Sequence, residues 1–319
     1  MSEVTHRFIE ANGITIHLAE QGAGPAILLC HGFPESWYSW RHQMAALAAA
    51  GYRAIAPDMR GYGQTSQPAA ADQYSLFHLA GDMVAILDAL NLETAVIAGH
   101  DWGAPVAWHA ALLRPDRFRG IIALSVPYRQ RGLVRPTTAM PRTEDSEFYQ
   151  LYFQRPARPD ADLAADVRAT LLKIFHASSG EGFRGGAAIA MVSLSKGYLT
   201  GPTIPPAPSW LTPDDLAFYT AEFTRTGFTG ALNWYRNIDR NWELTAAYAG
   251  AKITVPALYM AGDKDLVTAF PGMEKTIARL PELVPHLRET IMLPGCGHWT
   301  QQERPAEVNA AMLKFLETV

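Results

Sequence analysis

The stretch Gly99-His100-Asp101-Trp102-Gly103 sets a carboxylate in a tight turn between an apolar β-type run, Ala95–Ala98, and a helical run of small residues. Glycines on both sides suit a sharp strand-to-helix turn that presents the middle side chain, because a Cβ at either flank would crowd a strained backbone. The following helix aims its N-terminus at that side chain and favours negative charge there. A serine in this place would perform acyl transfer; an aspartate does different chemistry. Attack of a carboxylate on an ester or amide carbonyl would form an anhydride, which lies uphill. Attack on an sp³ carbon bearing a leaving group forms an ordinary ester, which water can later cleave. The carboxylate is already ionised near neutral pH, so only the second step needs a base.

Candidates for the rest of that chemistry follow from their places in the chain. His31-Gly32-Phe33-Pro34 follows the apolar run Ala26–Cys30, and the backbone N–H groups of Phe33 and Trp102 are the expected oxyanion pair. His298 lies in the Gly-rich turn Pro294-Gly295-Cys296-Gly297, after the last apolar run. An acid should come between the nucleophile and this histidine. "ALYMAGDKDLV" offers Asp263 and Asp265, and spacing alone leaves both open, since either could cap or solvate the loop.

The elements that must position these groups alternate. "THRFIEANGITIHLAEQG" predicts a hairpin turning at Asn12-Gly13. Apolar runs at Ala26–Cys30, Arg53–Ala56, Thr94–Ala98 and Ile121–Ser125 are separated by helical patterns. The clearest is Ser75–Leu92, with Leu79, Met83, Ile86, Leu87 and Leu90 on one face. Strands alternating with helices predict a parallel sheet covered on both sides. "PYRQRGLVRPTTAMPR" reads as a linker, and Glu144 to Trp242 as mainly helical, with a loop at Gly201–Pro213 and a helix start at Thr212-Pro213-Asp214-Asp215. Alternation resumes at Val255–Met260 and Thr290–Leu293 and ends in an amphipathic helix, Pro305–Leu316.

With 48% apolar and 18% charged residues in 319, the chain can fill a sizeable core. A net charge of −4 without charge runs argues against nucleic acid and anionic membrane as partners. Two cysteines, Cys30 and Cys296, do not suggest a disulfide framework. The start of the chain has neither a basic nor an apolar leader segment, and a cytoplasmic protein is expected.

Six stretches in order, "HGFPESWYSWRHQ", "DMRGYGQTSQP", "GHDWGAPVAW", "FYQLYFQ", "LNWYRNIDRNW" and "GCGHWTQQERP", resemble the epoxide hydrolases of the α/β-hydrolase fold. The mammalian soluble enzyme's hydrolase domain and bacterial relatives are similar, and the resemblance runs from about Phe8 to Leu316. It departs at "RPTTAMPR" and between His176 and Tyr198. It implies a mostly parallel central sheet with helices on both faces and an inserted helical cap. The core would span residues 1–128 and 248–319, and the cap residues 129–247.

The resemblance also implies that the acid is Asp265, in the Lys264-Asp265 dipeptide, and that cap tyrosines Tyr149 and Tyr235 serve the leaving oxygen. An opening epoxide develops an alkoxide and needs hydrogen-bond donors, and phenols with a pKa of about 10 suit that task. The expected set is then Asp101, Asp265, His298, Tyr149 and Tyr235, without metal or cofactor. Phe33, Trp37 and Trp102 are expected in the substrate pocket. Glu35 is expected to orient the hydrolytic water, or else to anchor its loop. A haloalkane dehalogenase is the first alternative, because those enzymes also place a Trp after the Asp. They usually carry Asn, Gln or another halide-binding residue where Phe33 stands, so position 33 favours the epoxide. A binding protein without turnover is the second alternative, and it would have less need for all five groups. The expected partner is a small-molecule epoxide, with a homodimer through the cap possible.

Overall fold

A computed structural model describes residues 2–185, 190–198 and 203–319. Its main sheet contains β1 (Thr5–Ala11), β2 (Ile14–Gln21), β3 (Ala26–Cys30), β4 (Arg53–Pro57), β5 (Ala95–His100) and β6 (Phe118–Leu124). Two short strands, β7 (Ser146–Phe148) and β8 (Met191–Ser193), form a separate antiparallel ribbon, and β9 (Ala257–Gly262) and β10 (Leu287–Leu293) complete the main sheet. The order is β1-β2-β4-β3-β5-β6-β9-β10. β2 pairs antiparallel with both β1 and β4, and every other pairing is parallel.

The expected hairpin is β1–β2, with Asn12 and Gly13 at its turn, both at positive φ. β3, β5 and β9 are buried at every residue, because helices cover both faces of a parallel sheet. Alternate side chains therefore feed two cores. Leu28, Ile97 and Ile121 pack with Leu79, Met83 and Ile86 of the helix Leu76–Ala89 and with Val106 of Gly103–Leu113. Ile27, Val96 and Ile122 face the other way, onto Met44 and Leu47 of Arg41–Ala49 and Val308 and Met312 of Pro305–Leu316.

The chain leaves the sheet after β6 and returns at β9, its neighbour. The inserted segment is mainly short helices. Thr212 caps Pro213–Thr226 as the sequence predicts, in a reciprocal box with Asp215. The mainly helical expectation needs one amendment, because the β7–β8 ribbon lies within it; residues 203–212 are not helical, in keeping with the loop expected there. Pro205, Pro206 and Pro208 cannot supply the N–H groups that a helix needs. Of the predicted Gly201–Pro213 loop, Gly201 and Pro202 lie outside the described residues.

Buried polar contacts seat the insertion on the core. Arg41 pairs with Asp215 at 3.1 Å, and Tyr38 donates to the same carboxylate at 3.0 Å. Asn241 accepts from the Leu76 N–H at 2.8 Å. Trp234, fully buried, donates its indole N–H to the Arg60 carbonyl at 2.9 Å. Arg60 is itself locked by a bidentate pair with Asp82, at 2.6 and 2.8 Å, both side chains buried. Asp82→Ala leaves that guanidinium buried without its anion. The expected cost is about 3–5 kcal/mol, read as a lower urea midpoint at unchanged slope. Unchanged stability would mean that water reaches Arg60. Among the described residues, no helix is long and apolar enough to cross a membrane.

Candidate active site

Asp101, Asp265 and His298 follow the C-terminal ends of β5, β9 and β10. Those strands are parallel, so their ends share one edge of the sheet, and residues far apart in sequence meet there. Asp101 turns the chain at φ +50°, in the left-handed region, before the helix Gly103–Leu113. The flanking glycines are a steric requirement. A Cβ on Gly99 would stand 2.0 Å from the Gly103 carbonyl oxygen, and one on Gly103 would stand 2.0 Å from that of Cys30.

One Asp101 oxygen, Oδ1, accepts the Phe33 backbone N–H at 2.9 Å. The other, Oδ2, lies 3.3 Å from His298 Nε2. The far side of that ring, Nδ1, is 2.9 Å from Asp265 Oδ1, which also accepts the Val267 N–H at 2.9 Å. Burial pushes the His298 pKa down, but the Asp265 and Asp101 carboxylates outweigh it and hold the imidazole well above its ordinary value. Both carboxyls are held below theirs. For Asp101, burial is outweighed by the hydrogen bond and charge of His298 and by the Phe33 N–H. For Asp265, it is outweighed mainly by His298.

A cavity of about 360 Å³ opens on this cluster, lined among others by Phe33, Asp101, His298, Tyr149 and Tyr235. The two tyrosines come from separate helices, Tyr149–Tyr152 and Thr229–Arg236, and their ring centroids are 5.9 Å apart. Phe33 and Trp102 each meet Tyr235 edge to face, at 5.5 and 5.2 Å. Burial first, then the Asp101 charge, raises both phenols above their ordinary pKa. They are hydrogen-bond donors throughout the neutral range.

Other expected residues fall elsewhere. Neither Trp37 nor Trp102 lines this cavity: Trp102 packs on Trp234 and Tyr235, and Ser36 caps the short 3₁₀ turn Trp37–Trp40, which swings the Trp37 indole against His6, Tyr38 and Phe218. Glu35 is fully buried, and its oxygens are taken by His100 at 2.8 Å, Gln302 at 2.8 Å and Gln301 at 3.1 Å. It anchors its loop through His100, which also contacts the His298 carbonyl at 2.7 Å. Asp263 accepts the Gly295 N–H at 2.7 Å at the surface. Tyr152, one turn from Tyr149, bonds Asp162 rather than facing the cavity.

Two residues escaped the sequence reading. Tyr198 lines the cavity and packs on Phe153 at 5.1 Å, but it stands where the resemblance departs. Ser125 brings its hydroxyl to 3.0 Å from His298 Nδ1; in the sequence it is merely the end of a strand.

A family model described as the alpha/beta hydrolase fold matches residues 25–305. Epoxide hydrolase A of Mycobacterium tuberculosis is 44% identical, covering 99% of this chain and 98% of that one. The mouse bifunctional epoxide hydrolase 2 is 39% identical, covering 99% of this chain and 56% of that one. Among solved structures, an epoxide hydrolase from an endophytic Streptomyces superposes with a TM-score of 0.93 at 47% identity, over 98% of this chain and 95% of that one.

Proposed function

The chain belongs to the epoxide hydrolases of the α/β-hydrolase fold, and from that premise we propose that it converts an epoxide and water to a vicinal diol through a covalent ester on Asp101. One observation carries this reading: a single cavity holds an ionised carboxylate facing His298 and two phenols from the inserted segment. Residues 129–247 act as the cap that brings those phenols over the nucleophile.

In the first step Asp101 attacks an epoxide carbon. The carbon–oxygen bond breaks as the ester bond forms, and Tyr149 and Tyr235 donate to the departing oxygen, one of them giving up its proton. Forming the ester also removes the charge of Asp101. His298 then loses one of the two carboxylates that favoured its protonated form, and its proton restores the phenol. The neutral imidazole, held by Asp265, deprotonates a water that attacks the ester carbonyl. The N–H of Phe33 already contacts Asp101 Oδ1, where the tetrahedral oxyanion forms; Trp102 supplies the second N–H. Collapse releases the diol, regenerates the carboxylate and leaves the water's proton on His298. The cycle closes in the state where it began.

The test is a single turnover in ¹⁸O-labelled water, with enzyme in excess over a racemic aryl epoxide and a 1-bromoalkane run in parallel. The expected result is diol without label, ¹⁸O in the Asp101 peptide and no bromide. Label in the diol alone would mean direct attack by water, and bromide release would make the enzyme a dehalogenase.

A further inference from the structure

β6 lies between β5 and β9 in the sheet, so the residue at its C-terminal end falls between nucleophile and acid. That residue is Ser125, fully buried, with Oγ 3.0 Å from His298 Nδ1. We propose that Ser125 is a positioning residue for the base: its hydroxyl is a second acceptor for the Nδ1–H of His298, beside Asp265, and keeps Nε2 turned to Asp101 while the ester is hydrolysed. The inference rests on the two-step reading above.

The backbone supports it independently of that distance. Ser125 sits at φ +70°, and the Val126 N–H closes a three-residue turn onto the Leu124 carbonyl at 2.9 Å. Such turns with a positive central φ are rare and strained. Gly, Asn and Asp tolerate that region better than serine does. The conformation is pinned on both sides: the Ser125 N–H donates to Met260 O at 2.8 Å, and the Tyr259 hydroxyl donates to Ser125 O at 2.7 Å. Asp101, at the end of the neighbouring strand β5, is also left-handed, and it too faces His298. Strain that concentrates around one imidazole marks side chains whose placement matters more than the comfort of their backbone.

The hydrogen bonding is self-consistent. A neutral His298 with its base lone pair on Nε2 carries its proton on Nδ1, within reach of Asp265 Oδ1 and Ser125 Oγ. The serine proton is then free to turn to the Asp265 carboxylate, whose Oδ2 is buried with no other partner among the described residues. In the imidazolium that forms as water is deprotonated, both acceptors face the charged N–H, and bonds of that kind are the stronger ones.

Two substitutions separate hydroxyl from backbone. Ser125→Ala removes the hydroxyl and keeps the strain; Ser125→Gly removes the hydroxyl and relieves it. Both should slow ester hydrolysis about tenfold to a hundredfold, with the rate of ester formation unchanged in rapid-quench experiments. Alkyl-enzyme should then build up in the steady state. Loss of an acceptor disfavours the imidazolium, so the acidic limb of the kcat profile should move to lower pH in both. A Ser125→Gly enzyme with wild-type hydrolysis rate and pH limb would overturn the proposal, as would an equal slowing of both steps. If the wild-type enzyme makes diol without any ester intermediate, the two-step reading itself fails, whatever the Ser125 variants do.

Discussion

His298→Gln should stop the reaction halfway and leave the substrate bonded to the protein. Asp101 loses the support of His298 but keeps the Phe33 N–H, so enough of it should stay ionised near neutral pH for the ester to form. Glutamine fills much of the same space but cannot take a proton from water, and turnover should fall by about 10³-fold or more. Intact-mass measurement during exposure to an aryl epoxide should show one substrate mass added per chain, and peptide mapping should put it on Asp101. With Asp101→Ala added, the same protein should gain nothing. Lost turnover without an adduct would sink the two-step scheme, because it would mean that His298 is needed before the ester exists.

Replacing both phenols should act at the other end of the cycle. Tyr149→Phe and Tyr235→Phe keep the rings that pack at 5.9 Å and delete only the donors. Each should slow ester formation by about 10²-fold, and the pair by about 10⁴-fold, the scale reported for donors aimed at a developing oxyanion. Ester hydrolysis should not change, so no adduct should accumulate. The pH dependence has a definite sign. Burial and the Asp101 charge raise both phenols, so they keep their protons to higher pH than free tyrosine. Ring opening should therefore show no alkaline loss below about pH 10. A double variant with full activity would return both tyrosines to packing.

The parts of this site that were legible in the sequence are those whose chemistry is local. A tight glycine-flanked turn can be read from the Gly99–Gly103 pentapeptide because the steric need sits within five residues. Chain order carried His298 and brought the acid down to Asp263 or Asp265, because parallel strands deliver their C-terminal ends to one edge; the resemblance chose Asp265. Tyr149 and Tyr235 came only through resemblance, since no periodicity says which of two tyrosines on a short helix faces a cavity. Trp37 was misread for a related reason. The 3₁₀ turn capped by Ser36 sends it to the core on the opposite side of the sheet from Phe33. Ser125 was invisible because its importance lies in a backbone angle and in a neighbour 173 positions away. Glu35 showed its charge but not its burial, and burial decides that its oxygens serve His100 and two glutamines rather than a water.

The insertion leaves the sheet and rejoins it on adjacent paired strands, with Ile121 beside Ala257. Those strands are parallel, so the chain leaves at one edge of the sheet, after Leu124, and re-enters at the other, at Ala257. Tyr128 and Gln130 tie the outgoing chain to the returning one by donating to the Ala251 carbonyl at 2.9 and 3.0 Å. A segment held between two fixed strands can be lengthened or shortened without altering the geometry of the strands beneath, because closing a longer loop adds little free energy per residue. Asp101, Asp265 and His298 all lie outside it and Tyr149 and Tyr235 inside it, so nucleophile, acid and base sit on one piece of chain and the ring-opening donors on another. Such a layout lets evolution, or a protein engineer, rebuild the roof over an unchanged nucleophile, acid and base, provided that the new roof still presents two phenols.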